Sequence, residues 1–215
     1  MRVERSFAFL DLCQFTSFTA TQGDDHATRV LANFRACMRE IASRRAVRVA
    51  KWLGDGAMLV GVEPGPLMSA VLEIEARIDD GDSALPLRVG ITTGPVILFE
   101  GDDYIGTTVN LASRLSDAAG ARQILAVPSL AVHVPVWATA SEVGRVMVPG
   151  FRDPVEMVQV SRRPPGASSF TDPVCGMILP SDAAAAQVKD ESFCSESCAA
   201  SWTDGSRTAR LDVTR

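Results

Sequence analysis

Asp11 and Asp55 are two carboxylates whose placement could do chemistry together. Asp11 closes the apolar run Phe7-Ala8-Phe9-Leu10, and Asp55 sits in Leu53-Gly54-Asp55-Gly56 between two further apolar runs. Both read as strand-end residues, one before a strand-to-helix loop and one in a hairpin turn marked by Asp-Gly. If those strands are neighbours in one sheet, both carboxylates project from the same edge. A pair so placed can hold two divalent cations, which activate an attacking hydroxyl and stabilise a leaving phosphate. Spacing alone leaves a second reading open, in which Asp11 caps the next segment and Asp55 is only a turn residue.

Asn110 and Arg114 lie four apart on an expected helix, so they share one face. They offer an amide and a guanidinium to one spot, and a guanidinium suits a phosphoryl group in charge and geometry. A solvated helix face is the alternative. Lys51 interrupts an apolar strand end, and Asp103 precedes Tyr104-Ile105-Gly106. A lysine and an aspartate could read a purine edge, where adenine offers an amino donor and ring-nitrogen acceptors; equally they could be a surface ion pair. Cys175, Cys194 and Cys198 cluster near the C-terminus, and in a reducing compartment such a cluster points to a metal before disulfides. Cys13 and Cys37 read as buried small apolar residues.

The elements that must position these residues alternate in type. A strand over 7–10 is followed by a helix over about 24–43, with Val30, Leu31, Phe34, Cys37, Met38 and Ile41 at helical spacing and Asp24-Asp25 at its start. Strands are expected at 47–51 and 57–62, a helix from Pro64 to about Asp80, and a strand at 85–92 broken by Gly94-Pro95 and resumed over 96–99. Residues 101–106 read as a loop, Thr107 or Thr108 as the cap of a helix to about Ala118, 124–127 as a strand, and 142–160 as a closing β pair around Pro149-Gly150-Phe151.

The chain has 215 residues, with 47% hydrophobic and 22% charged, the balance of a packed globular protein. Its net charge of −5, without a long basic run, disfavours sequence-general nucleic-acid binding. No apolar stretch is long enough for a membrane span and the N-terminus lacks a signal-peptide core, so a cytoplasmic location is expected. Composition divides the chain into a domain over 1–162, a linker over 163–169, a module over 170–204 and a tail over 205–215.

Taken in order, the spaced segments resemble class III adenylate and guanylate cyclases. Phe9-Leu10-Asp11-Leu12-Cys13-Gln14-Phe15-Thr16 resembles the family's first metal-binding segment, and Lys51-Trp52-Leu53-Gly54-Asp55-Gly56 its second. Arg88 to Gly94 resembles its central strand, and Asp103 to Leu115 the segment with the base-selecting aspartate and the Asn/Arg pair. The resemblance spans roughly 5–162 and implies an α+β, ferredoxin-like or palm-type βαββαβ core. It implies that Asp11 and Asp55 hold two Mg²⁺ or Mn²⁺ ions, that Lys51 and Asp103 read adenine, that Asn110 orients the ribose, and that Arg114 stabilises charge on the reacting phosphate. The implied reaction is attack of the ribose 3′-hydroxyl of ATP on the α-phosphate, releasing pyrophosphate. It also implies a homodimer with shared sites, metal carboxylates from one chain and the other groups from its partner. A guanylate cyclase and a non-catalytic nucleotide-binding regulator are the competing readings.

Asp172-Pro173-Val174-Cys175-Gly176-Met177 and Phe193-Cys194-Ser195-Glu196-Ser197-Cys198 resemble a YHS domain, a short treble-clef-like metal module. Three thiolates suit Zn²⁺ or Cu⁺. Water, Asp172 or Glu196 could supply a fourth ligand, and a module that binds nothing is the alternative.

Overall fold

The computed structural model describes residues 1–79, 85–101 and 103–204, so the expected helix end at residue 80 and the tail over 205–215 lie outside it. The described chain forms two compact units, one of Met1–Val134 and Ala140–Ser161, the other of Pro135–Thr139 and the chain from Arg162 onward.

The first unit is a mixed sheet with helices packed on it. Its elements run β1 (Arg2–Leu12), α1 (Phe15–Gln22), α2 (Asp24–Arg44), β2 (Arg48–Leu53), β3 (Gly56–Gly61), α3 (Pro64–Asp79), β4 (Leu87–Phe99), β5 (Asp103–Ile105), α4 (Thr107–Ala118), β6 (Gln123–Ala126), β7 (Ala138–Val146) and β8 (Val155–Arg162). The sheet order is β2-β3-β1-β4-β6-β8-β7, with β5 paired to β4. β1 is antiparallel to both β3 and β4, whereas β4 and β6 run parallel. This is the α+β class expected, with two helices rather than one between β1 and β2.

Alternation along β1 sets its two faces. Phe7 packs in a core with Met58, Val60, Val96, Val109 and Ala112, against which Val3, Phe9 and Tyr104 also pack. Ala8, Leu10 and Leu12 turn to the opposite face and are buried too. α4 lies directly over Gly90 of β4: a Cβ there would sit 2.2 Å from the Ala112 carbonyl oxygen and 2.3 Å from the Ser116 nitrogen. Leu115, Ala119, Leu125, Val148 and Met157 form a second core that seats the β7–β8 connection against α4.

α3 is buried along most of its length, including Glu73 at 0% exposure. The α2–β2 junction supplies its counter-charges. Arg45 Nε donates to Glu73 Oε2 at 2.6 Å, and the Arg44 guanidinium donates to Oε1. A buried carboxylate is tolerated only when paired in this way, and here the pairing ties α2 to α3.

Several local expectations change. β1 is longer than its apolar run, because the polar residues 2–5 pair with β4 through Arg2↔Ile97 to Arg5↔Gly94. Gly94-Pro95 does not interrupt β4. Pro95 falls between the stretch of β4 paired to β6 and the stretch paired to β5, where that edge has no ladder partner and proline is tolerated. The expected 101–106 loop contains β5, so Asp103 is a strand residue. The hairpin turn is Gly54-Asp55, with Gly56 already in β3. Neither threonine caps α4; Gly106 occupies the cap, and the Thr108 hydroxyl donates to the Pro95 carbonyl at 3.0 Å.

The second unit is small. β9 (Ser169–Thr171) pairs with β10 (Ile178–Pro180), β11 (Ala186–Val188) pairs with β12 (Glu191–Phe193), and α5 spans Glu196–Thr203. Ser169, assigned to the linker on composition, is already in β9. Trp137, Leu179, Phe193 and the three cysteines form its buried interior.

The α4–β4 packing gives a direct test. Gly90→Ala forces α4 away from β4 and is expected to lower unfolding stability by about 1–3 kcal/mol. Gly65→Ala in α3, where nothing lies within 4 Å of a new Cβ, is expected to be neutral or to stabilise by roughly 0.4–1 kcal/mol. Urea unfolding midpoints check both.

Candidate active site and a cysteine cluster

The β1–β3 register brings the two aspartates together. Asp11 pairs with Gly56, the residue immediately after Asp55. Gly56 is what allows this closeness: a Cβ there would lie 2.7 Å from the Leu10 carbonyl oxygen and 3.1 Å from Asp11 Oδ1. On its other side Asp11 pairs with Arg88 of β4. Arg88 Nε and Nη2 donate to Asp11 Oδ2 at 2.8 and 2.5 Å. This charge-assisted hydrogen bonding also raises the Arg88 pKa. The Asp55 carboxyl is pushed up, first by burial and further by the negative charge of Asp11. Asp55 therefore feels the charge of Asp11.

The turn that carries Asp55 is held from α2. Arg35 Nη2 donates to the Gly54 carbonyl at 2.8 Å. Arg35 and Arg39 each place a guanidinium carbon 5.0 Å from the Trp52 ring centroid, a cation–π arrangement that ties α2 to β2. A cavity of about 150 Å³ opens beside Asp11, lined also by Gly56, Ser113, Ser116 and Asp117.

Lys51 and Asp103 meet across β2 and β5. Lys51 Nζ donates to Asp103 Oδ1 at 2.8 Å, and the same oxygen accepts the Tyr104 N–H at 2.8 Å. Those two bonds hold the Asp103 carboxyl below its ordinary range. Tyr104 is anchored edge-on to Phe7, with ring centroids 5.2 Å apart. Asn110 and Arg114 line one cavity of about 450 Å³ with Thr107, Ser113, Gly150, Phe151 and Arg152. Arg114 Nη1 also donates to Asp117 Oδ2 at 3.1 Å in an exposed pair. Exposed pairs of this kind contribute little and exchange readily.

Sequence reasoning missed Arg88 and Arg152. Arg88 lies in the quoted central-strand segment, and the register was the missing signal that set it opposite Asp11. Arg152 follows the Pro149-Gly150-Phe151 turn and joins Asn110 and Arg114 only through the second core.

Residues 4–162 match the family described as the adenylate and guanylate cyclase catalytic domain. The chain belongs to that family. Over 156 residues it is 31% identical to an uncharacterized protein of Mycobacterium tuberculosis, covering 73% of this chain and 41% of that one. It is 32% identical over 119 residues to an adenylate cyclase of Streptomyces coelicolor, covering 54% of this chain and 31% of that one. The chain thus spans less than half the length of these relatives. The adenylyl cyclase CyaB from P. aeruginosa superposes with a TM-score of 0.62 at 27% identity, over 77% of this chain and 98% of that one. The guanylate cyclase domain of RhGC from Catenaria anguillulae shares the fold, with a TM-score of 0.67 at 21% identity over 76% of this chain and 100% of that one. Among the described residues, no helix is long and apolar enough to cross a membrane.

The second unit brings its three cysteines together. Cys175, Cys194 and Cys198 are buried, and with Asp172 they place their ligand atoms within 4.8 Å of one another. Cys194 Sγ lies 3.6 Å from Cys175 Sγ and 3.5 Å from Cys198 Sγ. Hydrogen bonds from the Cys175 and Cys194 thiols pull the Cys198 thiol well below the ordinary thiol range. Burial, above all, pushes the Asp172 carboxyl up. Of the two carboxylates suggested by the sequence, Asp172 is in the cluster, while Glu196 is an exposed residue of the first turn of α5.

The coupling of Asp11 and Asp55 is measurable. Asp11→Asn removes the negative neighbour, so the Asp55 pKa is expected to fall toward the ordinary carboxylate range in a ¹³C NMR titration. A raised folded-state carboxyl pKa means that stability is lost as pH rises through that range, so the variant is also expected to lose less stability there. An unmoved Asp55 would leave burial alone as the cause.

Proposed function

We propose that the chain is an adenylate cyclase, a phosphorus–oxygen lyase that converts ATP to 3′,5′-cyclic AMP and pyrophosphate, and that it works as a homodimer. The observation that carries this is the juxtaposition of Asp11 and Asp55 at the same end of the neighbouring strands β1 and β3, where Asp11 pairs with Gly56, the residue after Asp55. Paired, half-buried carboxylates are hard oxygen donors and fit Mg²⁺ or Mn²⁺, two per site. Such ions, when bound, supply Lewis-acid activation of the 3′-hydroxyl and neutralise the departing pyrophosphate.

The other residues bind and position. Lys51 and Asp103 present a donor and an acceptor from one salt bridge, matching the ring nitrogen and amino group of adenine. Guanine sets a carbonyl oxygen where adenine has its amino group, so Asp103 disfavours it. Asn110 orients the ribose. Arg114 stabilises charge on the reacting phosphate, and Arg152 adds a second guanidinium to the same cavity. Catalysis is then positioning plus electrostatics. The resemblance to class III cyclases supports a shared site, in which one protomer's carboxylates face its partner's base readers and Asn/Arg pair.

For the tail we propose a YHS-type, treble-clef-like module with Cys175, Cys194 and Cys198 as ligands of Zn²⁺ or Cu⁺. Its support is the burial and closeness of the three sulfurs. A domain of this size buries too little apolar surface to be stable without such a staple.

Incubation with ATP or GTP and Mn²⁺ tests the enzyme reading. Cyclic AMP is expected in clear excess over cyclic GMP, with Arg114→Ala lowering kcat by roughly 10²–10³-fold. A dominant cyclic GMP product would make the chain a guanylate cyclase. No cyclic product from a folded dimer would leave a non-catalytic nucleotide-binding regulator.

A further inference from the structure

Given the metal-binding reading of the tail, we infer that the cysteine cluster is a three-thiolate site for one exchangeable thiophilic ion. Asp172 is its positioning residue rather than its fourth ligand, and the fourth coordination position is left to an exogenous donor.

Three of the roughly four acceptor positions of the Asp172 carboxylate are committed to backbone N–H groups. The residue is 0% exposed. Its Oδ1 accepts the N–H groups of Val174 at 2.8 Å and Cys175 at 3.2 Å, and its Oδ2 accepts the Cys194 N–H at 2.7 Å. One carboxylate thus clamps the backbones of two ligand-bearing segments that lie far apart in sequence. Turning it toward an ion would strip acceptors from three N–H groups, and buried N–H groups are costly to leave unsatisfied. The loop around it closes on itself as well, with Gly176 N–H donating to the Asp172 carbonyl at 2.8 Å and Asp172 N–H to the Met177 carbonyl at 2.9 Å.

The other braces act on the same sulfurs. The indole N–H of Trp137, itself 0% exposed, donates to the Cys194 carbonyl at 2.8 Å. The Cys194 residue is therefore held at its N–H by Asp172 and at its C=O by Trp137. Ser195 Oγ accepts the Cys198 N–H at 3.2 Å and caps α5. These bonds place the sulfurs of Cys175 and Cys198 at 3.6 and 3.5 Å from that of Cys194. Thiolates at about 2.3 Å from a tetrahedral ion stand about 3.8 Å apart, so the site is close to shape already. Structural zinc sites close with four protein ligands, whereas three protein ligands leave a position for water or another donor. A preformed trithiolate of this kind suits a soft or borderline ion that arrives, leaves and takes a small exogenous ligand.

Co²⁺ loading of the full chain in oxygen-free buffer tests this. Sulfur-to-cobalt charge transfer that persists with Cys13 and Cys37 both changed to serine isolates the cluster, because Cys13 lies close in sequence to Asp11 and oxygen-only sites give none. Asp172→Asn is expected to keep the charge-transfer intensity per bound ion and the shape of the d–d bands, and to bind about 10–100-fold more weakly. Imidazole is expected to shift the d–d bands of the unaltered protein. An altered d–d envelope in Asp172→Asn, or no imidazole response in the unaltered protein, would overturn the open three-thiolate site. Should Asp172→Asn fail to fold, Trp137→Phe and the imidazole response carry the same decision. The absence of sulfur–cobalt charge transfer in the folded, unaltered chain would remove the tail's metal role itself, and this inference with it.

Discussion

The pairing of β1 with its two neighbours is the constraint on which the candidate site depends. Asp11 stands opposite Gly56 on one side and opposite Arg88 on the other. A slip of one residue would turn Asp11 to the face occupied by Ala8 and Leu10 and separate it from both. The same register forces two carboxylates near each other, an arrangement that is unfavourable without a cation. Arg88 offsets part of that repulsion by donating twice to Asp11. The site is thus charged and partly compensated from within the sheet.

The surrounding packing holds that arrangement still. Gly90 lets α4 lie against β4, which brings Asn110 and Arg114 to the same side of the sheet as Phe7 and Phe9. Arg35 fixes the turn of Asp55 through the Gly54 carbonyl, and the Glu73 pairing fixes α2, which carries Arg35. The buried ionic contacts of the helices therefore serve the hairpin. Loss of Glu73 would be felt at Asp55 as well as in stability.

The sequence was most legible where a short motif sets its own geometry. Leu53-Gly54-Asp55-Gly56 announces a hairpin, and the 110/114 spacing announces a helix face. It was least legible where long-range pairing decides. Polar residues 2–5 carry no strand signal, yet the β4 ladder recruits them. Asp103-Tyr104-Ile105 is too short to show a period and becomes a strand only because β4 runs on past Pro95. Gly94-Pro95 is a breaker by composition, and it is harmless because it falls where one edge of β4 has no partner. Arg88 and Arg152 are ordinary arginines until the register and the second core place them. In the tail the cysteines were visible as a cluster. The role of Trp137 was not, since it sits far from them in sequence and joins their unit only in three dimensions.

The central claim is that two chains share each site, so that the carboxylates of one chain work with Asn110 and Arg114 of its partner. Complementation tests it most directly. Asp55→Ala and Arg114→Ala homodimers are each expected to be inactive with ATP and Mn²⁺. Mixed chains should form heterodimers with one intact site and recover up to about half of the unaltered activity per heterodimer. Heterodimers that form, shown by differential tagging, and still make no cyclic AMP would contradict the shared site.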